Sequence, residues 1–391
     1  MKKTLDSIRV LEVSHAIAGP TAAQVLADYG AEVIKIERPG QGDIFRNVPG
    51  MGPTMFLAVN RGKRSLALDL KTKEGLSLFY ELVKKSDIVI ENLGPGVAEE
   101  LGVSYSKTRK ANPRAIYCKI ESFGSGPYEK SPAFDPILQA AVGIMSTTGF
   151  PPDKYARAGV SIVDMSTGLQ AASGILSLLF RRVKTRRGGE LRISLYDAAS
   201  YFMSYWIAMY DLMGRDTSPL GSGHIFGSPY NLFKTKDGYV YVSIASDSHW
   251  TAFCNSLNFT ALLEKKNYQR ALDRVRLKTE LEQQVAQLLA ELETAVVELK
   301  LRDSGVPFGV FNTVASLLKD AHFLGRGILK TFNLEGKEFR TTVNPTLIDG
   351  NRPFAAGNPP ALGQDSDEIL RSILGLRKTK LVELRKKGIV A

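Results

Sequence analysis

Short apolar runs separated by turns and amphipathic stretches set the rhythm of the first half of the chain. Ile8 to Val13, Glu32 to Glu37, Ser65 to Leu70, Ile88 to Glu91 and Ala115 to Ile120 read as strands. Thr21 to Tyr29, after a turn at Gly19-Pro20, and Glu74 to Lys85 read as the helices between them. Strands alternating with helices predict an α/β fold, a parallel Rossmann-like sheet covered by helices. No G-x-G-x-x-G follows the first strand, so the dinucleotide fingerprint is absent.

Further along, Met165 to Phe180 reads as a buried helix, Glu190 to Leu195 as a strand and Asp197 to Leu212 as an aromatic-rich helix. The texture changes after Gly214. Ser218-Pro-Leu-Gly-Ser-Gly-His224 is Gly-rich, and a hairpin follows, Tyr230 to Phe233 and Tyr239 to Ile244 about a turn at Lys236-Asp237-Gly238. Amphipathic helices at Thr279 to Leu292 and Thr294 to Arg302 then suggest a smaller α+β domain. The expected organisation is a large domain over 1–200, a linker over 201–224, a small domain over 225–320, and a linker with a return to the large domain over 321–391. The helix Ser366 to Leu374 supports that return.

Composition narrows the class. The 391 residues are 44% hydrophobic and 23% charged, ordinary for a globular protein of about two domains. No uninterrupted apolar run approaches the roughly 18 to 20 residues of a membrane span, and the first residues read as a strand, not as a leader. A cytoplasmic protein without a membrane partner is expected. Cys118 and Cys254 are the only cysteines, and none of His15, His224, His249 and His322 has a partner at ligand spacing, so neither a disulfide framework nor a metal site is expected. Lys plus Arg number 51 against 40 Asp plus Glu, a formal charge of +11 that favours anionic partners. In sequence this charge is dispersed, with short clusters such as Arg181-Arg182 and Arg186-Arg187.

Asp164 is the residue with the most chemical promise. It closes the apolar run Val160 to Val163 and opens the long helix, where free N–H groups and the helix dipole favour an ionised carboxylate. Such a group is an N-cap or a nucleophile, and the residue alone does not decide.

A series of motifs does more. In order they are His15-Ala-Ile-Ala-Gly-Pro20, Gly30-Ala-Glu-Val-Ile-Lys-Ile-Glu-Arg-Pro39, Asn60-Arg-Gly-Lys-Arg64 with Leu68-Asp-Leu70, and Glu91-Asn-Leu-Gly-Pro-Gly96. Phe123-Gly-Ser-Gly-Pro-Tyr128, Phe134-Asp135 with Gln139-Ala140, Ser146-Thr-Thr-Gly149, Val163-Asp164, Arg187-Gly-Gly189, Asp237-Gly238 and Gly305-Val-Pro307 follow. Through them the whole chain resembles the family III CoA-transferases, which include formyl-CoA transferase and carnitine CoA-transferase and are related to α-methylacyl-CoA racemase.

The resemblance implies a homodimer of two interlocked open rings, with CoA thioester as a substrate and no tightly bound cofactor. It implies that Asp164 is the nucleophile, forming an aspartyl anhydride and then an aspartyl-CoA thioester while CoA moves from a donor thioester to a small carboxylic acid. By the same resemblance His15, Ala16, Arg38, Leu68, Asn92 and Leu93 fall on CoA-binding positions, with Lys63 and Arg64 adding to the phosphate field. Gly221, Ser222 and Gly223 are candidates for a lid that excludes water, and His224 for a contact to the acceptor. Ile17 stands where formyl-CoA transferase has a substrate-contacting glutamine, which argues against oxalate. Phe134 stands where the racemase branch has a catalytic histidine, and a phenyl ring carries no proton. CoA transfer is therefore the leading expectation, 2-methylacyl-CoA racemisation the alternative. A non-catalytic basic nucleic-acid-binding protein is the third reading; it has the charge but no recognition helix, aromatic platform or basic stripe, so no nucleic-acid partner is expected.

Overall fold

The structure is a computed structural model that describes residues 3–334 and 336–391. Two compact units form. One combines the chain up to Ser146 with Arg157–Thr217 and Arg326–Ala391; the other combines Thr147–Ala156 with Ser218–Gly325.

The first unit is built on a six-stranded sheet. Its strands are β1 (Arg9–Ser14), β2 (Glu32–Glu37), β3 (Arg64–Ala67), β4 (Ile88–Asn92), β5 (Ile116–Glu121) and a last strand, Gly189–Ser194. The order is β3-β2-β1-β4-β5 followed by Gly189–Ser194, and every pairing is parallel. The inner strands are largely buried on both faces because helices cover both, whereas the last strand alternates, with Glu190 and Arg192 exposed. On one face Val10, Val33, Ile90 and Cys118 pack with Ala22 and Leu26 of helix Ala18–Asp28 and with Val163, Ala171 and Ile175 of helix Ile162–Thr185. On the other, Leu11, Ile34, Leu66 and Val89 pack with Phe79 and Leu82 of helix Lys73–Lys84 and with Ile369 and Leu384 of the two C-terminal helices, Ser366–Leu374 and Lys378–Lys386.

The second unit carries a three-stranded antiparallel sheet, Phe308–Val310, Tyr239–Ser243 and Tyr230–Lys234 in that order. Its core joins Val240 and Val242 to Trp250, Phe253, Leu281, Val285 and Val297 on the helices that follow.

Three local expectations are corrected. Gly19 and Pro20 are not a turn but lie in the first turn of helix Ala18–Asp28, where proline needs no N–H partner. The helix expected from Met165 begins at Ile162, taking in the end of the Val160 to Val163 run, and Asp164 lies in its first turn. Asp197 to Leu212 is not one helix but Leu195–Ser200, a 3₁₀ turn at Tyr201–Met203 and Ser204–Met213.

Candidate functional site

The chain runs β1 to β2 to β3 toward one side of the sheet, then returns to lay β4 and β5 on the other side of β1. Such a reversal leaves a crevice at the carboxyl ends of the strands, the usual ligand position in open α/β sheets. Here it is a cavity of about 150 Å³ whose lining includes His15, Arg38, Asp43, Leu68, Lys71 and Leu93. Four of the six residues expected at the CoA site, His15, Arg38, Leu68 and Leu93, therefore come together from four separate strand ends.

The other two sit beside the cavity and shape it. The Asn92 side chain accepts from Gly19 N–H at 3.1 Å and donates to the Ile120 carbonyl at 3.0 Å, tying the end of β4 to the start of helix Ala18–Asp28. That approach needs Gly19, since a Cβ there would lie 2.6 Å from Ser14 Cβ and 2.9 Å from Asn92 Cβ. Ala16 has φ +64°, a left-handed conformation rare for alanine, and donates its N–H to Asp43 Oδ1 at 3.3 Å.

Beneath this loop lies a buried network of charges. Glu12 pairs with Lys35 at 2.8 Å and with Lys63 at 2.7 Å, and Lys35 also pairs with Asp43 at 2.9 Å. Burial alone would raise the Glu12 carboxyl, but the two ammonium groups overcome it and hold it at about 2. Lys63 is pushed down to about 8 by burial, and still carries its charge at neutral pH. Burial also lowers His15, against the pull of Asp43. Lys63 and Arg64 thus do not serve a phosphate field. Lys63 also donates to the Pro20 carbonyl and Asn60 Oδ1, both at 2.9 Å, while Arg64 pairs with Glu32 at 2.6 Å and Glu368 at 3.0 Å.

Asp164 is half-buried in the first turn of its helix. The expected stabilisation by free helix N–H groups is not what the structure shows. Asp135 takes them: its Oδ2 accepts from Val163 N–H at 2.7 Å and Asp164 N–H at 3.1 Å. Gln139, one helical turn on and fully buried, donates to Asp135 Oδ1 and accepts Ala158 N–H at 2.8 Å, which holds that carboxylate in place. The Asp164 carboxylate has no hydrogen bond or ion pair among the described residues. Burial, reinforced by the Asp135 charge, raises it from 3.8 to about 7. Asp135 and Gln139 were visible only as motif letters; their i,i+4 spacing was the available signal.

Gly168, one turn after Asp164, links this helix to the crevice. A Cβ there would lie 2.6 Å from both the Ala18 carbonyl oxygen and Thr21 Cβ, so the two helices touch backbone to backbone just after the His15-Ala16-Ile17 loop. Ile17 is buried at the head of helix Ala18–Asp28, and Phe134, directly before Asp135, is 62% exposed.

Gly221, Ser222, Gly223 and His224 belong to the second unit. Gly221 N–H donates to the Gly149 carbonyl at 2.7 Å, Tyr241 Oη donates to the Ser222 carbonyl at 2.7 Å, and Lys278 Nζ donates to the His224 carbonyl at 2.9 Å. The His224 ring stacks on Tyr230 at 4.7 Å. Among the described residues no group of three or more His, Cys, Asp or Glu is placed to hold a metal ion.

The family model for CoA-transferase family III matches residues 5–366. The chain belongs to that family. As a family III CoA-transferase it is 31% identical over 390 residues to the succinate--glutarate CoA-transferase of Agrobacterium fabrum, covering 97% of this chain and 98% of that one. It is 29% identical over 420 residues to a formyl-CoA:oxalate CoA-transferase of Rhodopseudomonas palustris, covering 100% and 98%. Among solved structures, a CAIB/BAIF family protein from Brucella suis superposes with a TM-score of 0.86 at 29% identity, covering 95% of this chain and 100% of that one.

Proposed function

We propose that this CoA-transferase moves CoA from a donor acyl-CoA to a small carboxylic acid through covalent adducts on Asp164. The observation that carries the reading is the Asp164 carboxylate itself, half-buried, unpaired, and fixed through Gly168 beside the loop that lines the strand-end crevice. A carboxylate whose pKa is raised to about 7 is a more basic, less solvated nucleophile than an ordinary aspartate, and it is still substantially ionised near neutral pH.

The chemistry balances without a redox partner or metal. Asp164 attacks the thioester carbonyl, the C–S bond breaks and CoA thiolate leaves, giving an anhydride. The thiolate then attacks the Asp164 carbonyl carbon, releasing the donor acid as its carboxylate and leaving an aspartyl-CoA thioester. The acceptor carboxylate attacks that thioester and the thiolate leaves again. Finally the thiolate attacks the acceptor carbonyl of the new anhydride, which frees the product thioester and restores Asp164.

The crevice suits CoA: Arg38 and Lys71 offer positive charge, and Leu68, Leu70 and Leu93 offer an apolar wall. Phe134 supplies no base for α-proton exchange, which favours transfer over racemisation. A dicarboxylic acceptor and donor of the succinate or glutarate class fits best, supported by the Agrobacterium relative's name and by the apolar, buried Ile17.

A homodimer is part of this reading. Leu169 (55% exposed) on helix Ile162–Thr185, with Tyr205, Ile207, Tyr210 and Leu212 (57–83%) on Ser204–Met213, form apolar surface that a second copy would cover. The interlocked-ring form implied by the resemblance predicts a species of twice 42.8 kDa that does not dissociate on dilution. The decisive test is a screen of acyl-CoA donors against short mono- and dicarboxylic acids, following new thioesters by mass. If no pair yields a new thioester while 2-methylacyl-CoA exchanges its α-hydrogen in D2O, the proposal fails.

A further inference from the structure

The Arg187-Gly-Gly189 motif takes no part in the site described above. It lies where Gly189–Ser194 begins, at the opposite end of the sheet from the crevice, about 20 Å away for six-residue strands. There it forms one wall of a groove of about 390 Å³ lined by Tyr105, Arg109, Pro113, Arg181, Arg187 and Glu190 among others. The glycines make the groove possible. A Cβ on Gly188 would lie 2.0 Å from the Ala115 carbonyl oxygen, and one on Gly189 would lie 2.2 Å from the Arg181 guanidinium. Arg181 is laid flat across them, donating to the Gly188 carbonyl at 3.0 Å.

Charge that looks dispersed in sequence is gathered here. Gly188 N–H donates to the Pro113 carbonyl at 3.2 Å, and Arg182 reaches the Arg114 carbonyl at 3.3 Å, so segments 107–114 and 181–187 lie side by side. Together they carry nine Lys or Arg and no Asp or Glu. Two helices end here, Tyr105–Ala111 and Ile162–Thr185, and basic residues commonly offset such ends. That explanation is too small: two helix ends contribute roughly −0.5 each, and with Asp87 and Glu190 they still leave a surplus of about six positive charges. Among the described residues only Arg182 of these nine has an ion pair, with Asp87 at 2.9 Å, and the Arg109 and Arg187 guanidinium groups have no hydrogen bond or ion pair.

We propose that this groove is a second anion site, separate from the CoA crevice, that takes a small ligand bearing two or more phosphate groups. Three guanidinium groups around a pocket of this size match the forked oxygens of a diphosphate, and Tyr105 adds an aromatic edge.

Isothermal titration of the full-length protein with inorganic pyrophosphate, in saturating CoA so that the crevice is filled, tests it. The expected result is saturable binding that weakens several-fold between 50 and 200 mM salt and at least tenfold in the Arg109→Gln/Arg187→Gln double variant. These side chains are exposed, so the variant should keep its melting temperature and its CoA-transfer rate. Absence of pyrophosphate binding, its full displacement by CoA, or its persistence in the double variant would overturn the site. Retention of RNA or anionic vesicles by the wild type without pyrophosphate binding would overturn it equally, in favour of a macromolecular surface.

Discussion

One oxygen of Asp135 accepts the backbone N–H groups of both Val163 and Asp164, so the residue that caps the helix is also the like charge that acts on the Asp164 carboxylate. The cap fixes the helix start, and the charge adds to burial in raising the Asp164 pKa. If Asp164 is the nucleophile proposed above, its ionised form is the reactive one, and kcat/KM should rise with pH and level off above a midpoint near 7. Asp135→Asn keeps a capping oxygen but removes the charge, and should move that midpoint downward. A wild-type profile that is flat from pH 5 to 8 would contradict this assignment.

Asp164→Asn should abolish transfer by about a thousandfold or more and yet stabilise the fold at high pH. The sign follows from linkage. The folded state binds a proton more tightly than the unfolded state, with pKa about 7 against 3.8, so stability falls as pH rises between these values and the penalty is complete above 7. Asparagine has no such penalty. Thermal melts should show the variant above wild type at pH 8 and level with it near pH 4.

Glu12→Gln should be severely destabilising, by about 3–5 kcal/mol, because it leaves Lys35 and Lys63 buried without their shared carboxylate. The wild type should show the same dependence in its acid limb. Glu12 is depressed from 4.5 to about 2, so its contribution is complete above pH 4.5 and is lost as pH falls toward 2. Urea unfolding at pH 7 and pH 3 measures both, and a near-neutral variant would show the network to be dispensable.

Gly168→Ala should separate the two helices that join Asp164, the proposed nucleophile, to the crevice. A methyl group 2.6 Å from the Ala18 carbonyl oxygen cannot be accommodated without movement, at a cost of about 1–3 kcal/mol. Since the displaced element carries Asp164, kcat should fall more than KM rises. Unchanged kcat in a folded variant would show that this contact does not position Asp164.

The strands of the parallel sheet were legible because they are short, rich in Val, Ile and Leu and bounded by turns and helices, and the expected strands overlap those observed. Helix boundaries were less so. Gly19 and Pro20 read as a turn by residue type, but the first turn of a helix tolerates proline and the crossing beside Asn92 demands glycine. Asp164 stood out by position, whereas the partner that controls it, Asp135, lies 29 residues earlier and joins it only through tertiary contact. Lys63 looked like a phosphate ligand because its burial against Glu12, 51 residues away, has no local signature.

The discontinuity of the first unit has a kinetic consequence. Asp28 is satisfied partly by Ala355 N–H, 327 residues later, and Ser65 N–H by Asp365, 300 residues later. On the ribosome the early strands emerge with one face of their sheet covered only in part, by helix Lys73–Lys84, because the helices that complete it, Ser366–Leu374 and Lys378–Lys386, are made some 300 residues after Ser65. The second unit, whose core draws on residues 233–306, can collapse first. Synthesis therefore leaves part of an apolar sheet face exposed until these helices dock, the interval in which such a chain is most vulnerable to aggregation and most dependent on chaperones.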